Sequence, residues 1–229
     1  MESKMPNRSR NCGLTILIAL ASLLAAVPIA LAEPPAAQVE ASADTSDSSP
    51  TKTIETFHAG LLEIMKNAKT LGYEGRVEEL TPLMARTFDL DFMASKTVGR
   101  HWKKLDAEKR RQWAETFARF TTANYAGRFK GFKGEEFITL GVEDAAKGTR
   151  VVLTKIVVPD DEDVQLNYRV LERNGEWRVI DVYLNGTVSE LALRRSEYSS
   201  ALKREGFEQL VASIETKIED LRSKGNADG

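Results

Sequence analysis

Hydrophobic positions change period twice along the chain. From Thr53 to about Lys69 they recur at helical spacing, with Ile54, Phe57, Leu61, Ile64, Met65 and Ala68 on one face. Thr81-Pro82 predicts the start of a second helix, with Thr as cap and Pro in the first turn. A short third helix fits FDLDFMASKTVG, residues 88–99, capped by Asp89 or Asp91. A long fourth runs from Ala107, just after Asp106, to about Phe129. Trp113, Phe117, Phe120 and Gly127 follow one of its faces, with Tyr125 and Phe129 beside them.

The pattern then switches towards alternation. EFITLGV, RVVLTKIVV, VQLNYRVLE and WRVIDVYL predict four strands. RNGE between the last two supplies the Asn-Gly of a tight hairpin turn, and PDDED is a polar turn. Links this short join antiparallel neighbours. After Gly186, which the pattern assigns to a turn, the helical period returns. Thr187 and Glu190 have capping-box spacing. That helix runs to about Arg204, Gly206 breaks it, and a last helix covers Phe207 to about Leu221. Helices, a meander of strands, then helices predict an α+β fold: an antiparallel sheet of about four strands packed with several helices.

The strands carry apolar residues on both faces, Val179 against Ile180 and Val182, and Val151 and Leu153 against Val152. Helices covering both faces would explain this, and so would an apolar cavity between sheet and helices. Periodicity does not separate the two.

The amino terminus follows other rules. Lys4, Arg8 and Arg10 precede the 14-residue apolar run Leu14–Val27, and Ala30 and Ala32 form an A-x-A site before Glu33. This is the layout of a cleaved secretory signal over residues 1–32. The run falls short of the ~20 residues that span a bilayer; an uncleaved anchor is the rival reading. Residues 33–52, rich in Pro, Ala, Ser and Asp, predict a disordered linker. The expected folded domain covers 53–224, with a frayed tail at 225–229.

Composition then narrows the function. The chain has 42% hydrophobic and 29% charged residues, as soluble globular proteins do. Its one cysteine, Cys12, would leave with the signal, so no disulfide is available and the core must hold the fold. Loss of Glu2, Lys4, Arg8 and Arg10 takes the formal charge from -2 to -4. That charge does not attract nucleic acid, nor does it favour strong binding to anionic lipid heads.

Chemistry is sparse. The two histidines, His58 and His101, have no His or Cys at ligand spacing, and Asp160 to Asp163 read as a solvated turn, so no metal site is expected. There is no Gly-x-Ser-x-Gly elbow. GRFKGFKG lacks the P-loop pattern. No cofactor and no catalytic residue are expected. Asp181 is the exception that needs an account. A buried carboxylate requires a partner. Strict alternation places Trp177, Val179, Asp181 and Tyr183 on one face. Arg195 interrupts the apolar stripe of the next helix. The matching interruptions predict an Asp181–Arg195 ion pair pinning that helix to the sheet, with Arg194 as the competing partner.

Three blocks carry a resemblance. FDLDFMASKTVGRHW (88–102), EKRRQWAETFARFTTANYAGRF (108–129) and WRVIDVYLNGTVSELALRRSEYSSALKREGFEQLVASI (177–214) resemble, in order and spacing, the exported lipid-binding component of the bacterial Mla/toluene-tolerance transport system. The resemblance covers roughly residues 53–224. At Gly186-Thr187-Val188-Ser189-Glu190-Leu191 it is closer to the hopanoid-biosynthesis-associated branch of these MlaC-like proteins. It implies a twisted antiparallel sheet with helices around an apolar cavity, and a periplasmic carrier of phospholipid or a hopanoid-like lipid. That carrier would work between an inner-membrane ABC transporter complex and an outer-membrane lipoprotein complex, without bond chemistry. Candidate lipid-lining residues are Phe88, Phe92, Met93 and Trp102 in the first block, and Phe117, Phe120 and Tyr125 on the long helix. The strands add Val152, Tyr168, Val170, Ile180 and Val182. Taken singly, each of them fits plain core better than a ligand contact, and residues on opposite strand faces cannot all touch one ligand. Two rivals remain: an enzyme of similar build using Asp181 as base, and a non-transporting assembly factor for membrane lipid metabolism.

Overall fold

The computed structural model describes residues 49–227. The expected signal, the linker as far as residue 48 and the last two residues of the expected tail lie outside the described residues.

Ser49 opens the first helix, α1 (Pro50–Lys66), by accepting a hydrogen bond from the Lys52 backbone N–H with Pro50 in the first turn. The helix therefore starts three residues before the expected Thr53, and residues 50–52 belong to the fold rather than to the linker. α2 (Ala68–Thr87) follows, kinked at Gly72. Thr81-Pro82, expected to start a helix, lies inside α2; the Thr81 hydroxyl donates back to the Val77 carbonyl at 2.7 Å. Upstream of it Tyr73, Arg76 and Leu80 already face the core. Asp89 caps α3 (Leu90–Thr97), accepting from Phe92 N–H. A 3₁₀ turn over Gly99–Lys104 leads to Asp106, which caps α4 (Ala107–Arg128).

The sheet is a five-stranded antiparallel meander in the order β1 (Glu136–Ala145), β2 (Thr149–Val157), β3 (Val164–Arg173), β4 (Glu176–Leu184) and β5 (Val188–Ser189). Asn174 and Gly175 both take positive φ in the β3–β4 turn, as the Asn-Gly pair requires. The fifth strand exceeds the four expected; two residues carry no periodic signal, and only pairing with Tyr183 and Leu184 defines it. α5 (Glu190–Glu205) and α6 (Phe207–Ala227) complete an α+β fold. Ser189 caps α5 by accepting from Ala192 N–H, in place of the expected Thr187. α6 lies along α4, held by the bidentate Arg119–Glu215 pair at 2.9 and 2.8 Å. It also continues to Ala227, six residues past its expected end.

One irregularity changes the reading of β4. Val170 pairs with Val179, but Arg169 pairs with Asp181, so Ile180 is the extra residue of a β-bulge. Beyond it the faces exchange. Val179, Val182 and Leu184 oppose Val170, Tyr168 and Leu166 on the helix-covered face, whereas Asp181 turns to the other face beside Arg169. The link between α2 and α3 is fastened to the same strand by Asp89 N–H to Val179 carbonyl, 2.9 Å, and by an Arg173–Asp89 ion pair at 2.8 Å.

Candidate functional site: an apolar cavity between α4 and the sheet

The long helix α4 and strands β2, β3 and β4 do not close fully on each other. Between them lies a cavity of about 240 Å³. One water needs about 10–15 Å³ of such space, so this is room for a ligand rather than for a single solvent molecule. Phe117 and Phe120 of α4 and Met93 of α3 form one wall, and Ile156, Leu166, Val182 and Leu184 form the other. The sheet wall follows from register, because Leu166 and Leu184 pair and the bulge puts Val182 on their side. Thr121 and Asn124 also line the space, but each side chain donates back to its own helix, to Phe117 and Phe120 carbonyls at 2.8 Å. They add little polarity.

Charged groups gather towards the start of α5. Arg194 pairs with Glu190 at 3.3 Å and Glu197 at 3.7 Å, and its guanidinium lies 4.9 Å from the Phe120 ring centroid. Exposed Arg128, at the end of α4, also lines the cavity.

Of the residues expected to line a lipid site, Met93, Phe117, Phe120, Tyr125 and Val182 border this cavity. Phe88, Val152, Tyr168 and Val170 are packed in the core behind it. Ile180, the bulged residue, is buried outside that cluster. Phe92 and Trp102 sit half-buried at the core's edge under cations, Phe92 between Lys96 and Arg173 at 4.7 Å each and Trp102 beneath Arg110 at 5.6 Å. Alternation on β2 and β3 would have found Ile156 and Leu166. Arg128 and Glu190, being charged, gave no such signal.

Behind the cavity, His58 stacks on Phe137 with ring centroids 4.3 Å apart, and its Nε2 lies 3.0 Å from the Tyr168 hydroxyl. Burial lowers the imidazole pKa to about 4 and raises the Tyr168 phenol well above its usual value. Both are neutral near pH 7.

Asp181 does not border the cavity, and the expected ion pair with Arg195 does not form. Its carboxylate accepts from Ser189 Oγ at 2.6 Å, Leu191 N–H at 3.0 Å and Val182 N–H at 2.8 Å. Arg195 instead lies alongside Gly99, and Arg194, the competing candidate, is committed to Glu190 and Glu197. The bulge is the cause: strict alternation would have kept Asp181 on the Val179 face. Burial raises the Asp181 pKa, while the Ser189, Leu191 and Val182 hydrogen bonds and the Arg169 charge pull it back down. Asp181 and Ser189 between them satisfy the first free N–H groups of α5. Gly186 stands in the turn before β5 with φ 74°, preceded by Asn185 at φ 50°; a Cβ there would collide with the Gln165 side chain.

The MlaC protein family model matches residues 55–216, which span α1 to α6 and every wall of the cavity. The chain belongs to the MlaC family. A phospholipid-binding protein from Ralstonia solanacearum, solved in complex with a phospholipid, shares the fold of this MlaC member at a TM-score of 0.64. The two are 20% identical over 75% of this chain and 97% of that one. No curated protein matches the sequence significantly.

Proposed function

We propose that this MlaC-family protein is an exported lipid carrier, the periplasmic substrate-binding component of an ABC-type lipid transport system. It takes up a phospholipid or hopanoid-like lipid, sheathes its apolar part and passes it between membrane complexes without making or breaking bonds. The observation that carries this reading is the cavity between α4 and the sheet, with apolar walls and with Thr121 and Asn124 bonded back to their own helix. Family membership supports it, as does the likeness of fold to a protein that binds phospholipid. Exposing an acyl chain to water costs about 0.8 kcal/mol per methylene, and a soluble sheath removes most of that barrier. The inner-membrane transporter and an outer-membrane lipoprotein complex are the partners this route requires. Asp181 as a base finds no support, because its carboxylate is consumed in holding β5 and α5.

Mass spectrometry of lipid extracted from the mature protein, purified from its own cell envelope, tests the reading. About one lipid per chain is expected, with a mass that separates a diacyl phospholipid from a pentacyclic triterpenoid. Protein that carries none would overturn it. The same spectrum reads the processed amino terminus, expected at Glu33.

A further inference from the structure

A second concave site lies on the far side of α5, and no residue of the cavity takes part in it. Between that helix and the 3₁₀ turn Gly99–Lys104 runs an open polar groove of about 540 Å³. Arg100, Arg195 and Lys203 line it, together with Ser196, Ser199 and Ser200. None of the three cations forms an ion pair with a described residue, and none of the three hydroxyls forms a hydrogen bond to one. Other cations of α5 are committed, Arg194 to Glu190 and Glu197, and Arg204 to Glu205. Hydroxyls on other helices bond back to a carbonyl of their own helix, as those of Thr121, Ser213 and Thr216 do.

Local geometry assembles this groove. At about 100° per residue, α5 turns Glu190, Leu191 and Arg194 to the cavity and Arg195, Ser199 and Lys203 to the opposite side. A Cβ at Gly99, where φ is 55°, would stand 3.1 Å from Arg195 Nε and 3.6 Å from Ser199 Oγ. The guanidinium and the hydroxyl therefore meet over the bare backbone of the turn. Residues i and i+3 of a 3₁₀ turn eclipse, so exposed Lys103 follows Arg100 and extends the positive face. The whole chain is acidic, with a formal charge of -2, and that net value predicts no strong pull towards anionic lipid. On this face the sign reverses.

Like charges held together without counter-charge repel, and an anion brought to the groove relieves that. Phosphate oxygens accept from guanidinium, ammonium and hydroxyl groups at once, and anionic head groups attract clustered Lys and Arg. Leu193, 54% exposed, stands three residues before Ser196 on the groove's edge, an apolar tip suited to the head-group boundary. The lining includes no Phe, Tyr, Trp or large aliphatic side chain, the residues that form the buried centre of a protein–protein interface. The face therefore suits a lipid surface better than an acidic protein. We propose that the groove between the 3₁₀ turn and α5 docks this protein on the phosphate-bearing surface of an anionic bilayer, with the cavity left to its cargo on the other side of the helix.

The test floats the mature full-length protein with phosphatidylcholine vesicles, with and without phosphatidylglycerol, at low and at high salt. Wild type should partition onto the phosphatidylglycerol vesicles about tenfold or more over pure phosphatidylcholine, and high salt should abolish the difference. The R100Q/R195Q/K203Q variant removes three exposed charges and no ion pair to a described residue, so it should fold, with an unchanged thermal midpoint. It should lose about tenfold in partitioning, while the lipid recovered per chain stays at the wild-type level. The control K69Q/R86Q/K147Q removes the same charge from α2 and the β1–β2 turn and should lose less than about twofold. Equal losses from the two triple variants would assign the effect to net charge and overturn the docking site. Partitioning that is the same with and without phosphatidylglycerol would overturn it too, leaving an acidic protein face as what the groove meets. Either result leaves the carrier reading intact; that reading fails only if the wild-type protein carries no lipid.

Discussion

Two buried side chains set measurable properties of the whole fold. His58 is only 4% exposed and its pKa lies at about 4, below the ordinary value of 6.5. The unfolded chain therefore binds the proton first. The His58 contribution is fully present above pH 6.5 and is lost as pH falls towards 4, by about 3 kcal/mol in total. Asp181, whose pKa is raised, acts in the opposite sense: it favours the fold as pH falls through its own range. Urea titrations at pH 7 and pH 4.5 should show marked destabilisation at the lower pH in wild type. H58Q should flatten that loss; an equal loss in both proteins would assign it elsewhere. Asp181 makes a second, separate prediction. Asp181→Ala leaves the Leu191 N–H and the Ser189 hydroxyl without their acceptor and should cost about 2–3 kcal/mol. Arg195→Ala removes no hydrogen bond or ion pair to a described residue and should change stability by less than about 0.5 kcal/mol. Comparable losses from the two changes would restore the ion pair that the sequence pattern suggested.

Helix α6 reaches its full length because of one glycine. Gly225 is buried against the Tyr73 ring of α2, where a Cβ would collide with the ring. Gly225→Ala should push the last turn of α6 off α2, at a cost of about 1–3 kcal/mol. Amide exchange should then rise in the last turns of α6 and stay unchanged along α4. The expected frayed tail at 225–229 missed this contact, since position near the chain end carries no sign of the ring that packs under Gly225. Other elements were legible for good reasons. The long stripe of α4, the caps Asp89 and Asp106 and the Asn-Gly hairpin each rest on local chemistry that tertiary contacts leave in place. The first half of α2 was not legible, because its buried stripe contains Arg76. That guanidinium is 3% exposed and donates to the Ala126 carbonyl at 3.0 Å and the Ala68 carbonyl at 3.1 Å, joining the end of α4 to the start of α2. A cation at a helix carboxy-terminus satisfies free carbonyls, but in a hydrophobicity pattern it registers as a break. The bulge at Ile180 was equally silent. Only the partner strand reveals it, and with it went the face assignment of Asp181.

At the scale of the molecule, core and cavity are built from one residue type and are told apart only by packing. Tyr168 and Val182 pair across β3 and β4 and both belong to the buried core, yet Val182 also borders the cavity and Tyr168 does not. This is why the sequence left cavity and solid core as alternatives: the difference lies in how closely α4 approaches the sheet. Filling the space is the direct way to separate container from core. Val182→Phe keeps an apolar, β-compatible side chain on the strand and sends a ring into the 240 Å³ cavity opposite Phe117 and Phe120. In a tightly packed core such an enlargement costs about 1–3 kcal/mol through strain. In a vacant cavity it gains contacts instead, and the thermal midpoint of the lipid-free protein should hold or rise. The lipid recovered per chain should meanwhile fall several-fold, because chain and ring compete for the same volume. Unchanged midpoint with reduced lipid is the signature of a container. A lowered midpoint in the lipid-free protein would mean that the walls meet, and that any lipid is held elsewhere.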